Sequence, residues 1–133
     1  MTRLSIVRVF DAPRDDVWRA WTEPERLATW WGKRGWSTPV SSITMDVRPG
    51  GAFRLNSINE DGREMPMDGV YREVVELERL VFEGRGITST VTFTDLGDGR
   101  TEMRFESTVA TDVADAAAGG LASAFDRLEE SLS

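Results

Sequence analysis

The chain has 133 residues, 40% of them apolar and 29% charged, which is the size and balance of one globular domain able to bury roughly two-thirds of its unfolded surface. Its net charge of −7, from 16 basic and 23 acidic residues, argues against nucleic acid and anionic membranes as partners, since both select a basic face. Cysteine and histidine are both absent, which excludes disulfides, thiolate chemistry, the usual zinc ligands and any triad built on imidazole.

Leu4 to Phe10 is rich in β-branched residues and reads as a strand. The N-terminus has no apolar core of the secretory type, and no run approaches the ~20 residues that cross a bilayer, so a cytoplasmic location is expected. Asp11-Ala12-Pro13 ends the strand, with Asp11 placed to cap a helix that runs to about Trp21 on Val17, Trp18 and Trp21. Thr22-Glu23-Pro24-Glu25 reads as a capping box opening a second short helix. That helix carries Leu27, Trp30 and Trp31 and ends at Gly32.

From Ser42 the period changes to two. Ile43, Met45 and Val47 alternate with polar residues, Pro49-Gly50-Gly51 turns the chain, and Phe53 and Leu55 continue the pattern. After a turn at Asn59-Glu60-Asp61-Gly62, strands are expected over 67–75 and 80–83, with a break near Glu78. Val91 and Phe93, then Met103 and Phe105, form the two arms of a hairpin turned by Asp98-Gly99. After Asp112, a plausible N-cap, the spacing returns to 3.6 on Val113, Ala117, Leu121, Ala124, Phe125, Leu128 and Leu132. About 20 helical residues span ~30 Å, enough to lie across a seven-stranded sheet.

The order is therefore strand, two short helices, six strands and a long helix in one domain, residues 1–133. It predicts an α+β fold with one wet sheet face. That order resembles the helix-grip fold of START-like (SRPBCC) proteins, related to the Bet v type, in which a curved antiparallel sheet of about seven strands surrounds the C-terminal helix. Arg8-Val9-Phe10-Asp11-Ala12-Pro13, Val17-Trp18-Arg19-Ala20-Trp21-Thr22, Glu23-Pro24-Glu25, Trp30-Trp31-Gly32, Pro49-Gly50-Gly51, Gly69 to Val74 and Glu78 to Phe82 together are similar to the Aha-type subfamily. These are bacterial relatives of the C-terminal domain of the heat-shock chaperone ATPase activator. The chain departs from the subfamily at Gly119-Gly120-Leu121, where a Gly-Trp pair commonly faces the sheet; Leu is smaller than Trp, which implies either a roomier pocket end or a different lining.

The fold and resemblance imply that a small apolar or amphipathic molecule binds, without catalysis, between sheet and helix. The expected lining is Phe53, Leu55, Tyr71, Phe82, Val91, Phe93, Met103 and Phe105 from the strands, with Gly120, Leu121 and Ala124 from the helix. Trp30, Trp31 and Trp36, which bracket a glycine loop, are candidates for an aromatic mouth, although tryptophans in short helices also serve as core. Tyr71, the only tyrosine, offers a hydroxyl beside Gly69, either to a ligand or to the backbone. Gly119 and Gly120 each cost ~1 kcal/mol relative to Ala in a helix, so they mark either a close approach or a late helix start. Asp46, Arg54 and Asp68 become functional candidates if they face inward.

Asp15-Asp16 and Glu129-Glu130 point apart on their helices and read as solvated faces. Two other functions stay open: a chaperone-associated or stress-response interaction protein, and a cavity enzyme of cyclase or hydrolase type using a carboxylate base. No cofactor or metal is expected, and homodimers are common among domains this small.

Overall fold

The computed structural model describes residues 1–132. Strand β1 (Thr2–Phe10) is followed by helices α1 (Arg14–Thr22) and α2 (Pro24–Leu27). Two-residue strands β2 (Trp36–Ser37) and β3 (Thr44–Met45) flank a 3-10 turn at Val40–Ser42. Strands β4 (Ala52–Asn59), β5 (Glu64–Val75), β6 (Arg79–Gly84), β7 (Ile87–Gly97) and β8 (Arg100–Val109) precede helix α3 (Ala114–Ser131). The strands form one antiparallel sheet in the order β1-β8-β7-β6-β5-β4-β2, with β3 also on β4. This is the helix-grip architecture, with eight strands where about seven are expected because β2 and β3 are separate two-residue pairings. Among the described residues no helix is long and apolar enough to cross a membrane.

Alternation decides which side chains are buried. Phe53, Leu55 and Ser57 on β4, Ser89, Val91 and Phe93 on β7, and Thr101, Met103, Phe105 and Ser107 on β8 all point into the core. The two long hairpins close on two-residue turns, Arg85-Gly86 and Asp98-Gly99, in which both residues have positive φ, as a primed turn requires.

Several local expectations are corrected. Asp11 does not cap α1: Pro13 occupies the N-cap position two residues later, and no side chain caps the helix. The Thr22 capping box does not form either. Thr22 completes α1 and gives its hydroxyl to the Trp18 carbonyl at 2.9 Å, while Glu23 takes the N-cap position of α2 and pairs with Arg26. Asp112 lies inside a 3-10 turn, and Val113 precedes α3 without a side-chain cap. The alternation over 43–47 yields only the two paired residues of β3. β5 starts at Glu64 rather than Met67, because β6 ends opposite Gly69 and Pro66 therefore has a strand on one side only, as at a sheet edge.

The glycines separate into two kinds. A β-carbon on Gly51 would lie 1.9 Å from the Asp46 carbonyl oxygen, and one on Gly69 would lie 2.8 Å from that of Glu83. At Gly69 the absent side chain therefore admits backbone, in place of the ligand space suggested by the sequence. Gly119 and Gly120 sit inside α3 with no atom within 4 Å of an added β-carbon, so neither a late helix start nor a close approach explains them. Gly51→Ala is expected to cost about 2–3 kcal/mol by forcing the turn apart. Gly119→Ala is expected to stabilise by about 0.5–1 kcal/mol through backbone entropy. Denaturant unfolding checks both, and destabilisation by Gly119→Ala would contradict the open environment.

Candidate functional site

The space between the sheet and α3 is built around aromatic rings. Trp21 from α1 meets Trp30 at 4.7 Å between ring centroids, and also meets Phe82 and Phe125. Phe53 joins Trp31, Phe82 and Tyr71, and it stacks on Tyr71 with a 5° interplanar angle at 5.1 Å. Phe105 reaches Phe125 at 5.7 Å. Edge-to-face and offset pairs of this kind add about 0.5–1.5 kcal/mol each beyond burial.

The residues expected to line a pocket are placed as follows. Trp30, Phe53, Leu55, Tyr71, Phe82, Val91, Phe93, Met103, Phe105 and Ala124 share one buried cluster, with Trp31 and Leu121 packed half-exposed against it. Leu121 also touches a second cluster of Leu4, Val109 and Ala114, and so joins the two. Gly120 is half-buried beside it with open space at its α-carbon. Trp36 lies apart from the rings, on an open hollow of about 410 Å³ with Arg34, Ser37, Ile58, Asn59, Glu60 and Arg127. The Trp30 indole N–H is engaged within the protein, donating to the Ala20 carbonyl at 2.9 Å, and that of Trp21 points at the Met103 sulfur. Asp46, Arg54 and Asp68 do not face inward: Arg54 pairs with Asp68 at 3.0 Å, and Asp46 with Arg48 at 2.7 Å, in solvent.

Tyr71 is positioned by its backbone. Its amide donates to the Gly51 carbonyl and its carbonyl accepts from Gly50, so the glycine turn after Pro49 holds it from both sides. It is 1% exposed, and its hydroxyl is buried with no hydrogen-bond partner among the described residues. Burial pushes that hydroxyl well above the ordinary tyrosine range by disfavouring the phenolate. Two other hydroxyls on the same sheet face, Ser89 and Ser107, bond to each other at 3.2 Å. They were accessible to sequence reasoning, since extending the Val91 and Phe93 alternation back by one step reaches Ser89.

Arg127 has no periodic signal and was missed. Its guanidinium donates to the carbonyls of Gly32 (2.8 Å), Trp36 (3.1 Å), Trp31 (3.3 Å) and Thr29 (3.3 Å), tying the loop after α2 to α3. Burial and the nearby Arg34 lower its pKa. The neighbouring Arg34–Glu130 pair is exposed; its hydrogen bond raises the arginine and lowers the carboxyl. On β1, Arg8 holds α3 through Asp126 at 2.8 Å and the Ala122 carbonyl.

Arg127→Ala is expected to lower stability by about 2–4 kcal/mol, and Arg127→Lys to recover little of it, because one ammonium cannot span four carbonyls. Tyr71 gives a pH signature. With its folded pKa raised, the unfolded chain ionises first, so the stability Tyr71 contributes is complete below about pH 10 and is lost as pH rises beyond it. Denaturation midpoints measured across this range are expected to fall less in Tyr71→Phe than in the wild type.

Residues 11–133 match the sequence profile of the family described as activator of Hsp90 ATPase homolog 1-like protein. No curated protein matches the sequence. Among solved structures, a crystal structure of a Nitrosomonas europaea protein superposes with a TM-score of 0.86 at 25% identity, covering 98% of this chain and 93% of that one. A Rhodobacter sphaeroides protein superposes with a TM-score of 0.83 at 25% identity, covering 97% and 90%. An Aeromonas hydrophila protein described as AHSA1-like gives 0.85 at 24% identity, covering 98% and 91%, and so speaks for the fold.

Proposed function

The chain belongs to the activator of Hsp90 ATPase homolog 1-like family, and on that footing we propose that it binds a small apolar or amphipathic molecule between the inner sheet face and α3. The observation that carries this reading is the Tyr71 hydroxyl, buried without a partner among the described residues on a ring stacked against Phe53. Such a group costs about 1–3 kcal/mol when left unsatisfied, so its retention needs a reason. A ligand with one hydrogen-bonding group supplies that reason. Its apolar body would gain about 25 cal/mol per Å² removed from water. The half-buried surface at Gly120 and Leu121 is the side from which it would enter, and Trp31, half-exposed over Phe53, is the ring best placed to move aside. The described residues include no buried Asp or Glu, so the inner face offers a ligand apolar surface and hydroxyls in place of a carboxylate base. A cytoplasmic location belongs to the same proposal.

The family description supports a second reading, association with a chaperone ATPase. Measuring the ATPase rate of the host chaperone with and without this protein separates it from ligand binding.

The test of the first reading is a thermal-shift screen against fatty acids, sterols, flavonoids and polyketides. A ligand at 100 times its dissociation constant is expected to stabilise by about 2.7 kcal/mol, a shift of several degrees. Tyr71→Phe, which deletes the orphan hydroxyl, is expected to raise the ligand-free melting temperature and to reduce the ligand-induced shift. Equal shifts in wild type and variant, or none across the panel, would remove the reading.

A further inference from the structure

The sheet has one long open edge. Among the described residues β1 pairs with β8 alone, in unbroken register from Thr2 opposite Val109 to Phe10 opposite Thr101, and no strand lies on its other side. At the opposite edge only the two-residue β2 and β3 end the sheet. Natural sheets blunt long edges with charged side chains, lysine above all, and with proline, bulges, inward-pointing charges or short strands. β1 has nine residues, no lysine, no proline and no bulge, and its two charges, Arg3 and the inward Arg8, are neutralised within the chain by Glu106 and Asp126. On its outer face Val7 is 44% and Val9 50% exposed.

We propose that β1 is a self-association edge, through which two copies of this chain pair antiparallel about a two-fold axis at Val7 and join their sheets into one. The side-chain alternation restricts the choice of register. Inner residues must face inner residues, so the axis passes through a residue and cannot fall between two. An axis at Arg8 sets that arginine against the partner's Arg8, a like-charge contact. An axis at Ile6 sets Arg3 beside the partner's Val9 and gains no charge pair. An axis at Val7 sets Val7 against the partner's Val7 and Ser5 against the partner's Val9. On the inner face it sets Leu4 against the partner's Phe10. It also sets Arg3 against the partner's Asp11, twice by symmetry. Arg3 is exposed and already paired with Glu106 of its own chain, so it would share its guanidinium with the partner's carboxylate, and Asp11 is exposed and makes no helix cap. Isologous contacts of this kind close at two copies and leave no open edge to propagate.

The absence of native cysteine gives a direct test. Sedimentation equilibrium of the full chain is expected to give a dimer. Val7→Cys, at a position where cross-strand β-carbons lie about 4.5–5.5 Å apart, is expected to oxidise to a covalent dimer, whereas Val75→Cys, also exposed but on the interior strand β5, is not. Val7→Lys sets like charges on the axis and is expected to weaken the dimer about tenfold or more. Asp11→Arg is expected to weaken it too, and adding Arg3→Asp to that variant to restore it. Circular dichroism confirms that each variant is folded. A monomeric wild type, a dimer indifferent to Val7→Lys, or a Val7→Cys chain that cross-links no better than Val75→Cys would each overturn the proposal.

Discussion

One 18-residue helix must cover the apolar face of an eight-stranded sheet, and the other structural choices answer that constraint. α3 is one cylinder about 10 Å across, whereas the sheet is several times wider. The uncovered area falls to α1 and the short α2, and a short helix buries much area only with large side chains. Trp18 and Trp21 on α1, with Trp30 and Trp31 just beyond α2, meet that need, and Trp21 alone reaches strand, loop and helix rings. Such a patchwork needs fastening. Arg127 ties the loop to α3 through four carbonyls, and Arg8 ties α3 to β1.

The elements with strong periodicity were legible in the sequence. β7, β8 and the buried stripe of α3 follow from alternation and 3.6-residue spacing because one face of each is buried and the other is wet. Helix starts were less legible. Asp11, Thr22 and Asp112 are all good cap residues by type, yet none caps, because Pro13 and Glu23 take the cap positions of α1 and α2 and a 3-10 turn holds Asp112. β2 was illegible as a strand and the alternation over 43–47 overstated the two-residue β3, since such short pairings depend on the partner strand β4 more than on their own residues. Arg127 was invisible for a related reason: its partners are carbonyls 91 to 98 residues away, which no local pattern encodes.

Most of the side chains that the sequence grouped as a pocket lining share one buried cluster, but the pattern could not say what they do to one another. Phe53, Tyr71 and Phe82 do meet, and their rings occupy much of the space that a wide cavity would need. What distinguishes the site from an ordinary core is polar. The only tyrosine is locked at its backbone by the Pro49-Gly50-Gly51 turn, and its hydroxyl is buried without a partner among the described residues. A phenylalanine would fill the same volume without the desolvation cost. The exposed β1 edge poses a parallel question on the outside of the molecule, where main-chain groups rather than a hydroxyl lack partners.

Because Tyr71 is unique, its ring resonances in NMR spectra report on the site without ambiguity. The most direct measurement titrates the protein with each class of probe, fatty acid, sterol, flavonoid and polyketide, and follows those signals together with the Leu121 methyls. The account expects one class to shift both and to give ligand-to-protein Overhauser contacts with the Tyr71 ring. Shifts confined to the surface hollow around Trp36, with Tyr71 unmoved by every class, would contradict it.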